Sequence, residues 1–238
     1  MLDVILLDLM LLDFHWSQLL QPQFYIDNGG LWLVLFIIFA ETGLFAGFFL
    51  PGDSLLFVSG IFSTQLAATI YDTGNDFMNL LLIITLTSLA GIFGNAVGFW
   101  TGRWIGPAMY TWRDRFLFKQ RYLHQAKEFY DKHGGGAIVF ARFLPIIRTF
   151  APIVAGIVYM DRKKFGFYNI VGCIAWTSSM LLGGHYLQRL FLEKFGYDLK
   201  EHLEIIVLII VLVTTAPVLF KLFFGKKKDP AEPLNSSE

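Results

Sequence analysis

The chain has 238 residues, with 19 Lys and Arg against 19 Asp and Glu, so its formal net charge is zero. Apolar residues make up 55% and aromatics 17%, while charged residues reach only 16%, well short of the roughly 25% of a soluble globular domain. The charges also cluster and leave long uncharged runs, which excludes a soluble enzyme, a nucleic-acid binder with a basic face and a disordered tail protein, and points to an integral membrane protein.

Residues 1–28 contain no Lys or Arg but carry Asp3, Asp8 and Asp13. At a spacing of five these fall roughly 140° apart around a helix, so no clean polar face results. The basic leader of a signal peptide is missing, and an interfacial segment is expected. The apolar stretch 29–71 is interrupted by Glu41 and by Pro51-Gly52-Asp53, and reads as a hairpin, although its length also suffices for two full spans. Phe77 to Gly102 holds no charge and is long enough for a transmembrane helix, which needs about 20 apolar residues.

A basic linker, 103–133, follows. Within it Lys119 to Lys132 reads as an amphipathic helix, with Tyr122, Ala126, Phe129 and Tyr130 on one face, Lys127–Asp131 and Glu128–Lys132 at i,i+4, and Gly134 as cap. Trp104, Tyr110 and Trp112 fit an interfacial belt. Segment 134–160 contains Gly134, Gly135, Gly136, Arg142, Pro145, Arg148 and Pro152, too broken for one helix and short for two spans. It reads as a second hairpin. Uncharged runs then give transmembrane helices at 165–188 and, with Lys221 snorkelling, at 205–224; residues 225–238 read as a disordered tail.

Loop charge sets the orientation. The linker holds Arg103, Arg113, Arg115, Lys119, Arg121, Lys127 and Lys132; Arg162-Lys163-Lys164 and Lys226-Lys227-Lys228 are also basic, and all three segments are assigned to the cytoplasm. The acidic loop Asp72–Asp76, residues 1–28 and Arg189–Glu204 are assigned outside. Each hairpin then enters and leaves by one face, from opposite sides. The expected fold is an all-α membrane protein: an inverted repeat of re-entrant helical hairpin plus transmembrane helix, with an additional C-terminal transmembrane helix. Many transporters use such repeats around a site at the bilayer midplane.

Four charges stand inside these apolar stretches: Glu41, Asp53, Arg142 and Arg148. One charge at the bilayer centre costs about 2.5–3.5 kcal/mol on insertion scales, so the four are expected to meet where the hairpin tips converge. Pro51 and Gly52 before Asp53, and Pro145 between the arginines followed by Pro152, supply the helix breaks. In an unbroken helix Arg142 and Arg148 would point roughly 240° apart; a break permits both guanidinium groups to converge on one phosphate, which accepts bidentate hydrogen bonds. Glu41 and Asp53 would compensate these charges or carry protons. Internal salt bridges that merely hold the hairpins together are the plainer alternative.

Gly94, Gly98, Gly102 and Gly106 repeat every fourth residue and Gly43 and Gly47 form a shorter version, both read as packing faces. Gly134-Gly135-Gly136 is followed by no P-loop Lys and reads as a flexible connection. The single Cys173 excludes a disulfide framework and reads as a packing residue. His15, His124, His133, His185 and His202 show no metal spacing.

The stretches Glu41–Leu56 (ETGLFAGFFLPGDSLL), Gly94–Gly106 (GNAVGFWTGRWIG) and Phe140–Gly156 (FARFLPIIRTFAPIVAG) resemble the DedA family, whose shared region is also called the SNARE-associated or VTT domain. The resemblance covers roughly residues 25–220. It implies a lipid translocase: bacterial members are implicated in returning undecaprenyl phosphate or phospholipids across the inner membrane, with dependence on the proton-motive force, and eukaryotic relatives are described as scramblases. It also implies that Glu41 and Asp53 are the family's functional acidic pair and that Arg142 and Arg148 are its arginine pair.

The leading expectation is therefore a flippase- or scramblase-like protein of the bacterial inner membrane, C-terminus cytoplasmic, moving a phosphate-bearing lipid between leaflets. A proton- or cation-coupled small-solute transporter fits the same residues. An enzyme is not expected: Gly52-Asp53 and Tyr71-Asp72 only superficially resemble the motifs of intramembrane aspartyl proteases, since their order is wrong and Leu50 stands where a glycine is required. Membrane lipids, with protons as a second cargo, are the expected partners; no cofactor, metal or nucleic acid is expected, and the oligomeric state is open.

Overall fold

Unbroken apolar sequence becomes long helix, and helices end before Pro51 and before Pro145, whereas Pro107 and Pro152 lie inside helices. The computed structural model describes residues 22–44, 47, 50–111, 128, 130, 132, 135–203, 205, 206 and 208–210. The interfacial segment, the amphipathic connector 119–132, the span 205–224 and the tail 225–238 lie wholly or largely outside the described residues. Among the described residues the regular structure is helical throughout: α1 (Pro22–Gly43), α2 (Gly52–Ile61), α3 (Ser63–Ala68), α4 (Asp76–Thr111), α5 (Gly136–Ala141), α6 (Pro145–Ile157), α7 (Arg162–Phe195) and a 3-10 turn (Leu199–His202).

α4 and α7 carry two candidate membrane spans, Asp76–Pro107 and Arg162–Phe195. Both run past the uncharged windows, 77–102 and 165–188, by which the sequence marks them. Charge reports where hydrocarbon ends, whereas a helix continues as long as its backbone bonds are satisfied. At the overrun, Arg103 lies 4.8 Å over the Tyr159 ring and Arg162 lies 4.6 Å over the Trp100 ring, contacts that suit cations at a membrane boundary.

The remaining apolar helices are short. Gly30 breaks α1 (φ 53, ψ −147), leaving 30–43 as its apolar part. At 1.5 Å per residue that arm is about 21 Å long, α2 about 15 Å and α6 about 20 Å, against a hydrocarbon core of about 30 Å. Two non-helical joints separate the arms. In the first, Pro51 (φ −85, ψ 53) precedes α2, and its carbonyl accepts the Leu55 N–H at 2.8 Å. In the second, residues 142–144 turn and extended Leu144 leads into Pro145 at the start of α6. Pro145 thus acts as a helix start, where its missing N–H costs nothing. Pro152 does not break the second segment as expected: it lies inside continuous α6, forgoing one bond to the Arg148 carbonyl. α6 closes with Tyr159 in the left-handed region (φ 58), where the Met160 and Tyr159 N–H groups bond back to Ala155 and Gly156.

The short arms are shared between the long helices. α1 packs on α4 and α5 on α7, while α2 packs on α7 and α6 on α4. Glycines set these approaches. A Cβ at Gly94 would fall on Thr42 and the Phe39 carbonyl, and at Gly98 it would reach the Gly43 carbonyl of α1 at 3.4 Å. At Gly102 it would fall on the Ile153 carbonyl, and at Gly106 it would reach the Ile157 carbonyl of α6 at 3.1 Å. One glycine row thus seats two different helices. Gly60 and Gly184 do the same for α2 and α7, against Leu181 and Phe57.

Two main apolar clusters result, beside a small group of Ile153 and Ile157 with Ile105. The larger gathers Leu31, Ile38, Leu55, Leu66, Ile83 and Leu181; the smaller gathers Phe99, Ile138, Ala155 and Phe165, with Phe99 and Phe165 stacked at 4.1 Å. Large side chains such as Trp32, Phe36, Phe93 and Phe167 are exposed, as a lipid-facing surface requires.

Replacing Gly102 by Val should lower thermal stability by about 1–3 kcal/mol through overpacking against α6, measured on detergent-solubilised protein, whereas Gly136→Ala, where an added Cβ meets open space, should be nearly neutral. In the loop before α4, Asp72 accepts from Asn79 Nδ2 at 2.8 Å and the Gly74 N–H at 2.9 Å, which hold its carboxyl below the ordinary value of 3.8. Folding depresses this pKa, so the contribution is present above pH 3.8 and is lost as pH falls through the folded value. Protease sensitivity of residues 71–76 should rise over that acid range, and Asp72→Ala should raise it at neutral pH.

Candidate functional site

Position along the long helices locates a polar layer between the two apolar clusters. On α7 the order runs Phe165, Asn169, Cys173, Trp176, Leu181, and its ends belong to opposite clusters. On α4, Ile83 belongs to one cluster and Phe99 to the other, with Ile92 and Asn95 between.

Glu41, near the end of α1, is buried, and Asp53, in the first turn of α2, has a side chain 14% exposed. Arg148, buried on α6, bridges them: Nη2 bonds Glu41 Oε1 and Nη1 bonds Asp53 Oδ1. The guanidinium carbon lies 4.7 Å over the Trp176 ring, and Trp176 Nε1 donates to Asp53 Oδ1 at 3.0 Å. One cation therefore ties α1, α2, α6 and α7 together. Gly52 makes the geometry possible, because a Cβ there would overlap the Glu41 carboxylate. Pro51 stands at the N-cap of α2 just before this glycine, so the two residues of the break shape the seat of Glu41 and the start of α2.

Arg142 does not join this cluster. Its Nη2 bonds Asn169 Oδ1, and Asn169 Nδ2 in turn donates to the Ile92 carbonyl at 3.1 Å. The Cys173 thiol also lies beside Arg142 and donates to the Ser88 carbonyl at 3.4 Å. Gly172 leaves the space Arg142 occupies, since a Cβ would come within 2.9 Å of its Cδ and Nε. The two arginines thus share no partner in this structure, unlike the expected convergence on one spot. The turn at 142–144 reorients the chain, but amide and thiol groups on α7 capture Arg142 before it reaches the carboxylates.

The charges sum to zero over the four residues, yet not locally. Two carboxylates around Arg148 leave a net of −1, while Arg142 is a buried cation with no carboxylate within ion-pair distance among the described residues. Three polar atoms of this set have no hydrogen-bond partner: Glu41 Oε2, Arg142 Nε and Arg148 Nε; nearby on α4, Asn95 Nδ2 is also unpartnered. Buried donors left unpaired are costly, and three of the four can donate to an anion.

Asn169 and Trp176 escape a reading based on charge alone. Their signal is an amide in an uncharged span and an indole in its middle, away from the interfacial belt. Among the described residues no group of His, Cys, Asp and Glu could hold a metal ion.

Residues 50–186 match the model of the VTT domain. The chain is 33% identical over 219 residues to the protein DedA of Escherichia coli K12, covering 91% of each chain. It is 32% identical over 212 residues to an uncharacterized membrane protein of Mycobacterium leprae, covering 87% of this chain and 88% of that one. It is 29% identical over 205 residues to the inner membrane protein YqjA of Escherichia coli K12, covering 84% and 88%. No solved structure matches the chain.

Arg148→Ala leaves two carboxylates facing each other in a buried site and should destabilise the protein by about 3–5 kcal/mol. Trp176→Phe keeps the ring but removes one hydrogen bond to Asp53 and should cost about 1 kcal/mol. Thermal unfolding of both variants in the same detergent checks the ranking.

Proposed function

Since the chain belongs to the DedA family of VTT-domain membrane proteins, we propose that it is a lipid translocase that carries a phosphate-bearing headgroup, such as that of undecaprenyl phosphate or a phospholipid, through the polar layer while the tails stay in the bilayer. The observation that carries this reading is Arg142: a buried cation with an amide and a thiol as neighbours, no carboxylate within ion-pair distance among the described residues, and an unpartnered Nε. Such a site is incomplete without an anion. A phosphate oxygen would satisfy Arg142 Nε and offset its charge, and a second would reach Arg148 Nε.

The protein is an integral membrane protein; we place it in a bacterial inner membrane with the basic segments cytoplasmic. The arms shorter than the hydrocarbon core, joined at non-helical turns, support two re-entrant hairpins, 29–71 and 134–160. The exchange of arms between α4 and α7 supports an inverted repeat. Backbone breaks at membrane depth are tolerable where protein or a polar cavity satisfies them, and the two joints carry Asp53 and Arg142 at such points. No covalent chemistry is assigned to any residue, so the protein is not proposed to be an enzyme.

Glu41 is the proposed proton carrier. Its Oε1 is held by Arg148 while Oε2 is buried without a partner, so a proton there removes an uncompensated charge and weakens the bond to Arg148. Freed from Glu41, Arg148 turns to the headgroup. A proton- or cation-coupled small-solute transporter is the second reading, favoured by the same unpaired Oε2 and separable by supplying lipid and solute cargoes in parallel.

In liposomes of the reconstituted protein, Arg142→Ala and Arg148→Ala should each slow headgroup translocation at least about tenfold, the loss of charge-assisted bonds to phosphate. Wild-type rates in both variants overturn the assignment. Glu41→Gln should leave translocation with no dependence on an imposed pH gradient; an undiminished gradient response removes Glu41 from the coupling.

A further inference from the structure

A cavity of about 420 Å³ lies away from the central charges, where the α2–α3 junction meets the first turn of α4 and the last part of α7. Ser63, Asp76, His185, Gln188, Arg189 and Lys200 line it. Asp76 begins one candidate span and Arg189 lies near the end of the other, so the cavity sits at a membrane boundary, at headgroup depth. From Trp176 in the central cluster to Arg189 is roughly 20 Å along α7.

The acid in this cavity is already engaged. Asp76 Oδ1 accepts from Thr64 Oγ1 at 2.6 Å, Oδ2 lies 3.1 Å from His185 Nε2, and His185 Nδ1 lies 3.1 Å from Ser63 Oγ. Two cations flank it, Lys200 half-buried and Arg189 exposed and within electrostatic reach of Asp76. Lys200 Nζ stands 5.1 Å over the Phe62 ring, with no carboxylate within ion-pair distance among the described residues. Its position is built: Gln188 donates to Asp198 at 2.8 Å and accepts the Leu199 N–H at 3.0 Å, and Asp198 accepts the Lys200 N–H at 2.9 Å, which pins the 3-10 turn onto α7. Arg189 Nε forms an exposed ion pair with Glu193 Oε1 at 2.8 Å, which orients the guanidinium and offsets part of its charge while the terminal nitrogens remain as donors.

We propose that this cavity is a second anion site, in which Arg189 and Lys200 hold the phosphate of a lipid headgroup at the membrane boundary. Guanidinium supplies a planar fork to two oxygens and ammonium a point charge to a third. The cavity serves as a waiting station one α2 length from Asp53, an assignment that rests on the translocase reading for its purpose but on its own residues for its chemistry.

The test uses the full chain in detergent micelles, titrated calorimetrically with dihexanoyl phosphatidic acid and, separately, with inorganic phosphate. Arg189→Gln combined with Lys200→Gln should weaken phosphatidic acid binding about tenfold or more, with an unchanged melting curve showing that the fold is retained. Loss of phosphatidic acid binding alone assigns a lipid headgroup; equal loss of inorganic phosphate binding assigns a phosphate site open to either source. Absence of binding in the wild type, or unchanged isotherms in the double variant, overturns the proposal. Full translocation by Arg142→Ala and Arg148→Ala would overturn the function proposed above while leaving these isotherms as they are.

Discussion

One guanidinium organises the interior. Arg148 reaches from α6 to a carboxylate on α1 and another on α2, with its flat face against an indole of α7. In a low-dielectric layer such a bridge brings little net stability, because desolvating three charges offsets most of their attraction. What it fixes is arrangement. In this packing one cation meets both carboxylates, so the charges favour this arrangement of α1, α2 and α6. Arg142, by contrast, keeps neutral neighbours, an amide and a thiol on α7, among the described residues.

Backbone breaks and glycines make this arrangement reachable. Arms of about 15–21 Å are shorter than a hydrocarbon core of about 30 Å, and Glu41, Asp53, Arg142 and Arg148 stand at or near helix ends. Gly52 and Gly172 seat charged side chains, whereas Gly94, Gly98, Gly102 and Gly106 seat whole helices. The same residue type thus acts in two ways, and only the neighbours across each contact tell them apart.

Much of this is legible in the sequence. Charges inside apolar runs mark Glu41, Asp53, Arg142 and Arg148, and uncharged windows mark the two long helices. The row of glycines marks a packing face. Other features depend on partners distant in the chain. Periodicity does not say that one glycine row serves two helices, since that depends on α1 and α6 lying end to end along α4. Nor does it say that Asn169 takes Arg142, because amides in apolar spans carry no charge to notice. Pro152 misleads because a missing N–H ends a helix only where nothing else holds the turn, and α6 is held by its packing on α4. His185 looks isolated by spacing, yet the antiparallel meeting of α4 and α7 gives it Asp76 and α3 brings it Ser63.

The exchange of arms has a consequence for how the molecule is made. A nascent chain emerges from the ribosome N-terminus first, so α1, α2 and α4 reach the bilayer while α7, the helix on which α2 must rest, is still untranslated. During that interval Glu41 and Asp53 have no counter-ion, and the first half is a dependent fragment awaiting the second. Biogenesis therefore requires either protonated acids, a holding partner in the insertion machinery, or delayed insertion of the first pair of arms until the rest of the polypeptide arrives.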